Sequence, residues 1–128
     1  EARAHVHQRP GQPAVVARHP KELTLCMDSA CVEGAWKQGR IASLMGMEGG
    51  HSIAGSLGVL RQMHALGARY MTLTHFKNTA WADSATDAPA HNGLTPFGKD
   101  VVREMQRQTD AVLGRTGARF LVGTIMVN

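Results

Sequence analysis

The sequence predicts an α/β fold in which parallel strands alternate with helices, and three stretches carry that expectation. The apolar run Ile41-Ala42-Ser43-Leu44-Met45-Gly46-Met47 reads as a strand that ends on Glu48, turns through Gly49-Gly50 and enters a helix-like segment. Val59, Leu60, Met63 and Leu66 then recur at helical spacing, and Gly67 stops the stripe. The β-branched and aromatic run Tyr70-Met71-Thr72-Leu73-Thr74 follows and ends on His75. A strand, helix, strand unit of this kind has a right-handed crossover, and its two strands deliver Glu48 and His75 to the same C-terminal rim.

The 128 residues suffice for one domain with a single core, but a complete (β/α)8 barrel usually needs about 250. With 43% hydrophobic and 19% charged residues the composition is that of a globular chain. The formal charge of +4 comes from scattered Lys and Arg, and aromatics make up only 5%, so the clustering or stacking platforms of a nucleic-acid face are missing. No apolar stretch reaches the length of a transmembrane helix and no signal-peptide pattern opens the chain. It begins at Glu1, so missing targeting signals say little about its compartment. Cys26 and Cys31 form neither a CxxC motif nor part of a four-ligand zinc set, and they read as buried free thiols.

Taken in order, residues 1–21 hold His5, His7, His19, Pro10, Pro13 and Pro20 around Val15-Val16, which predicts an irregular N-terminal segment before a domain over 22–128. His5-Val6-His7 has the form of a metal-binding strand end, but Glu1-Ala2-Arg3-Ala4 is no apolar strand, and a tail is the simpler reading. Leu23-Thr24-Leu25-Cys26 reads as a short strand. Asp28 then caps a helix with Val32, Ala35 and Trp36 on one face, and Gly39 closes it. In the strand from Ile41, alternation puts Ala42, Leu44 and Gly46 on the side of Glu48, where small residues leave room for a ligand or metal. Residues 76–94 follow neither period, and the stretch reads either as a lid over the rim or as a solvated excursion. Thr95-Pro96 starts a helix with Phe97, Val101 and Met105 at four-residue spacing, expected to run to about Arg107. Arg119 to Asn128 reads as one more strand.

Glutamate oxygen and histidine nitrogen are both ordinary zinc donors, so Glu48 and His75 at neighbouring strand ends suggest a metal site. Such a metal would polarise a carbonyl and lower the pKa of a bound water, making a hydroxide nucleophile. By spacing alone the signal is weak, since a His at a strand end is often only a hydrogen-bonded rim residue. The glycines could instead cradle a phosphate, but Glu48 would repel it and the lysine of a phosphate-binding loop is absent. Ser52 and Ser56 lack the GxSxG pattern of a serine hydrolase.

A family resemblance sharpens this reading. Ile41-Ala42-Ser43-Leu44-Met45-Gly46-Met47-Glu48-Gly49-Gly50-His51-Ser52-Ile53, Ser56-Leu57-Gly58-Val59-Leu60-Arg61, Leu66-Gly67-Ala68-Arg69-Tyr70-Met71-Thr72-Leu73-Thr74-His75 and Asn78-Thr79-Ala80-Trp81-Ala82-Asp83 together resemble the membrane (renal) dipeptidase family. Asn92-Gly93-Leu94-Thr95-Pro96-Phe97-Gly98 and Val101-Val102-Arg103-Glu104-Met105 continue the likeness, which spans about Arg18 to Arg107. The resemblance implies an amidohydrolase-like (β/α)8 TIM barrel, two zinc ions and dipeptides as substrates. It assigns Glu48 to the carboxylate that bridges the metals and His75 to the histidine that contacts substrate and stabilises the oxyanion. His51, Trp81 and Asp83 fall on motif positions that shape the site, and Ala80 stands where the family usually has proline.

The departures matter as much. The family's first-strand His-x-Asp pair has no counterpart, because His5-Val6-His7 lies too close to Glu48 for the intervening units. No histidine follows His91, whereas the family takes two further metal histidines, an arginine and an aspartate from later strands. The tail resembles a later part of the family, as though a block had been lost after Arg107. The expectation is therefore a partial (β/α)8-like chain, a dipeptidase fragment without activity of its own and with strand edges open to self-association. The competing class is a non-catalytic α/β binding or assembly module that keeps these motifs as fold.

Overall fold

The computed structural model describes residues 12–113. His5-Val6-His7 and the strand expected over 119–128 lie outside the described residues. Among the described residues four α-helices and four short strands follow one another in the order α1 (Gln12–Arg18), β1 (Leu23–Leu25), α2 (Ser29–Lys37), β2 (Ile41–Ser43), β3 (Met45–Met47), α3 (Leu57–Ala65), β4 (Ala68–Met71) and α4 (Pro96–Leu113). α1 lies where only an irregular segment was expected. A turn then carries the chain into β1, with the Leu23 N–H on the His19 carbonyl at 2.9 Å.

The strand expected from Ile41 to Met47 is divided at Leu44. Its first half, β2, runs parallel to β1 with Leu23 opposite Ile41 and Leu25 opposite Ser43. Its second half, β3, runs parallel to β4 with Gly46 opposite Tyr70 and Met47 opposite Met71. One stretch of chain thus serves one neighbour with its lower half and another with its upper half. That offset is the stagger by which a sheet curls toward a barrel.

The second strand is also earlier than expected, ending at Met71, so His75 sits in a loop. The two paths stay joined beyond the ladder, because Thr72 N–H donates to the Met47 carbonyl at 3.1 Å and Gly50 N–H to the Leu73 carbonyl at 3.2 Å.

The helices begin where short polar side chains can satisfy free amides. Asp28 accepts the Cys31 N–H at 2.8 Å, Ser56 accepts from Val59 at 3.3 Å, and Thr95 accepts from Gly98 at 3.2 Å. Gly39, at φ +68°, takes the left-handed position after α2 and donates to the Trp36 carbonyl. Two residues assigned to apolar faces point outward instead, Trp36 at 75% and Leu66 at 72% exposed. Each closes the last turn of its helix, past the point where the stripe meets the core. α4 runs on to Leu113, six residues beyond the expected end, because Glu104 and Gln108 remain buried on its inner face.

The core joins Met47, Ile53, Leu60, Met71, Trp81, Ala82 and Val101, with Met63 and Phe97 packed against it. It fills the space between the β3–β4 pair and the helices α3 and α4. Cys26 and Cys31 are bonded to each other in a disulfide, which corrects the reading of two free thiols. Their five-residue separation spans the turn from β1 into α2, and that turn brings both side chains to one side.

Candidate functional site

Glu48 and His75 meet at the C-terminal ends of β3 and β4. His75 Nε2 lies 3.2 Å from Glu48 Oε1, with the two side chains 42% and 59% exposed. Mutual attraction between groups so open to water is worth little. Their positions come from the backbone beneath them. Gly49, at φ +98°, turns the chain sharply after Glu48, and its N–H donates to Thr72 Oγ1 at 2.7 Å. Gly50 opens a short 3-10 turn through Ile53 before α3 starts. On the other side, the Ser84 hydroxyl donates to the His75 carbonyl at 2.5 Å and fixes the backbone that carries the imidazole.

The long segment after His75 is anchored in the core at Trp81-Ala82, while most of residues 85–90 are exposed. Trp81 is 3% exposed and Ala82 1%, and Trp81 packs edge-on against Phe97 of α4. Gly50 is pressed against the Trp81 ring so closely that a Cβ there would collide with it and with the Leu73 carbonyl. Asp83 accepts N–H bonds from Ala90, His91 and Gly93 at 2.9–3.0 Å, and these amides, Gly93 first, hold its carboxyl below the usual range. Asp87 does the same with Asn78 and Ala88, aided by Lys77, and its carboxyl is likewise lowered.

The structure therefore brings together two of the five expected site residues. Trp81 is a core residue packed against Gly50, and Asp83 orders the loop beside it. His51 is exposed, with its ring against Gly49 on the turn that follows Glu48.

Three contributors escaped sequence reasoning. Thr72 and Ser84 act through short side-chain bonds that no periodicity marks. The third is Tyr70, whose ring folds over Gly46 and fills the room that alternation had left for a ligand. Its hydroxyl is buried with no partner among the described residues, and burial, reinforced by the Glu48 carboxylate, raises the pKa of the phenol. The register that puts Tyr70 opposite Gly46 was the available signal.

Zinc in a protein site takes three or four protein donors. Among the described residues no three of His, Cys, Asp and Glu converge on one point. The described residues by themselves therefore do not fit the two-metal centre that the resemblance implies. No helix among them is long and apolar enough to cross a membrane.

Comparison with known proteins identifies a family and a fold. The model of the family described as membrane dipeptidase (peptidase family M19) matches residues 5–109. Dipeptidase tcpJ of Claviceps purpurea (strain 20.1) is 55% identical over 73 residues, covering 56% of this chain and 17% of that protein. Among solved structures, an amidohydrolase from Pseudomonas aeruginosa superposes with a TM-score of 0.70 at 18% identity, over 77% of this chain and 30% of the other. The probable dipeptidase PvdM from the same organism gives 0.65 at 22%, over 78% and 31%. These two establish the fold, an α/β segment of a TIM barrel. The chain spans under a third of each of the three proteins.

Proposed function

This chain belongs to the membrane dipeptidase family, and from that premise we propose that it is a barrel segment of a dipeptide hydrolase that carries part of the active rim. The observation that supports this most directly is the Glu48 carboxylate 3.2 Å from the His75 imidazole across the ends of two parallel strands. In this reading Glu48 would be one carboxylate donor to the metals that activate water, and His75 would hydrogen-bond the carbonyl oxygen of the scissile peptide and steady the negative charge that develops on it. His51, Trp81 and Asp83 shape the rim around them.

The family is metal-dependent, and zinc is the metal this reading expects. The described residues do not complete its donor set, so no hydrolytic step is assigned to this chain alone. The consequence is a chain that hydrolyses no dipeptide until further donors join Glu48. Among the described residues β1 pairs only with β2 and β4 only with β3. Their outer edges are where further strands would add, from another copy or another chain.

Exchange of segments tests the proposal. Residues 41–83 replace the matching segment of an active family member, and dipeptide hydrolysis is followed with and without Glu48→Gln. Activity that survives the exchange and is lost with the substitution is the expected result. A chimera that folds and binds metal yet hydrolyses nothing would overturn it.

A further inference from the structure

The disulfide between Cys26 and Cys31 joins two very different environments. Cys26, at the end of β1, is fully buried, and its N–H donates to the Ser43 carbonyl at 2.8 Å. Cys31 is partly exposed in the first turn of α2. Of the two residues, only Cys31 has surface open to solvent. The turn between them is held independently of the S–S bond. Asp28 accepts the Cys31 N–H, and Arg69 of β4 donates through Nε to the Met27 carbonyl at 2.7 Å. Cys31 Sγ also lies 3.7 Å from the Leu25 carbonyl, so a reduced thiol has an acceptor already in place.

We propose that Cys26–Cys31 is a reversible thiol-exchange site, at which Cys31 is the sulfur attacked by low-molecular-weight thiols and Cys26 is the resolving partner. In the reductive direction a thiolate RS⁻ attacks Cys31 Sγ, an R–S–S–Cys31 bond forms, and the Cys26–Cys31 bond breaks. Cys26 leaves as a thiolate and takes a proton. A second RS⁻ attacks the R-side sulfur, releasing RSSR and the Cys31 thiolate, which is protonated in turn. Two thiols are oxidised to one disulfide while the protein disulfide is reduced to two thiols. In reverse, RSSR thiolates Cys31 and Cys26 displaces RS⁻. The Asp28 carboxylate occupies the start of α2 and opposes a thiolate there, so accessibility, not thiolate stability, selects Cys31.

Cys26 and Cys31 are the chain's only cysteines, so thiol alkylation followed by intact mass reports the couple without ambiguity. The intact chain is equilibrated in graded mixtures of reduced and oxidised glutathione, alkylated and weighed, with far-UV circular dichroism recorded alongside. Reversible conversion between disulfide and dithiol forms with an unchanged spectrum is expected. Reduction that requires denaturant, or that abolishes the spectrum, would overturn the proposal by making the bond a structural staple only. Single variants then assign the sulfurs. Folded Cys26→Ser should form the glutathione mixed disulfide at least ~10-fold faster than folded Cys31→Ser; equal rates, or a faster Cys31→Ser, would refute the assignment of roles. The rim reading stands or falls separately, since neither cysteine belongs to it.

Discussion

Glu48 Oε1 and His75 Nε2 stand 3.2 Å apart although neither residue lies within a strand. Each follows a strand end by a different path, Glu48 directly after β3 and His75 four residues past β4. The bonds from Gly49 to Thr72 and from Gly50 to Leu73 equalise those paths. The pair is thus a product of loop bonding laid over parallel strands, and the glycines are as necessary to it as the charged groups.

Gly50→Ala should destabilise the fold by about 1–3 kcal/mol, because the added methyl meets a backbone oxygen and the buried Trp81 ring, neither of which can yield freely. Gly34→Ala, within α2 and with open space around it, should instead stabilise by about 0.5–1 kcal/mol. Urea unfolding of both variants checks the contrast, which fails if the two shifts share a sign.

Asp83→Ala removes the acceptor for three backbone amides at once and should loosen residues 84–93 while leaving the helices intact. The expected readout is several-fold faster proteolytic nicking within that stretch, with Asp83→Asn intermediate because one acceptor oxygen remains. Unchanged nicking would show that Trp81 packing alone holds the loop.

Glu104 should make the α3–α4 contact sensitive to acid. Arg107 and then Arg61 hold its carboxyl well below the usual range, through bonds that include Arg61 Nε at 2.8 Å. A lowered folded-state value means the contribution is complete above the ordinary glutamate pKa, near ~4.3, and is lost as pH falls from there toward the folded value. Both guanidinium groups are more than half exposed, so solvent screening limits the gain. Glu104→Gln should cost about 1–2 kcal/mol at neutral pH. The difference in thermal midpoint between wild type and variant should narrow below about pH 4; a constant difference would rule out the ionised clamp.

Much of this was legible in the sequence, for reasons that differ by element. Asp28, Ser56 and Thr95 announce helix starts because capping is a local bond between near neighbours. Leu60 and Val101 fall in the core because their spacing matches a helix face. The meeting of Glu48 and His75 could be expected because strand ends in α/β folds converge on one rim. Apart from the short helix α1, which the prolines around it concealed, the misses are tertiary. Nothing in the run from Ile41 to Met47 tells that its halves serve different neighbours, and a five-residue cysteine spacing does not reveal a pairing. The stretch from 76 to 94 lacks a period because its order comes from Asp83 and Asp87 binding backbone amides and from one tryptophan reaching the core. Tyr70 over Gly46 follows from register, which is fixed only once the strands have met.

Titration of the purified chain with zinc, read together with dipeptide hydrolysis, tests the central claim most directly. A partial rim predicts at most weak zinc binding that Glu48→Ala diminishes further, and no turnover at any zinc concentration. Two tightly held zinc ions with dipeptide turnover, both lost in Glu48→Ala, would contradict the account and mean that donors outside the described residues complete the site within this chain or its oligomer.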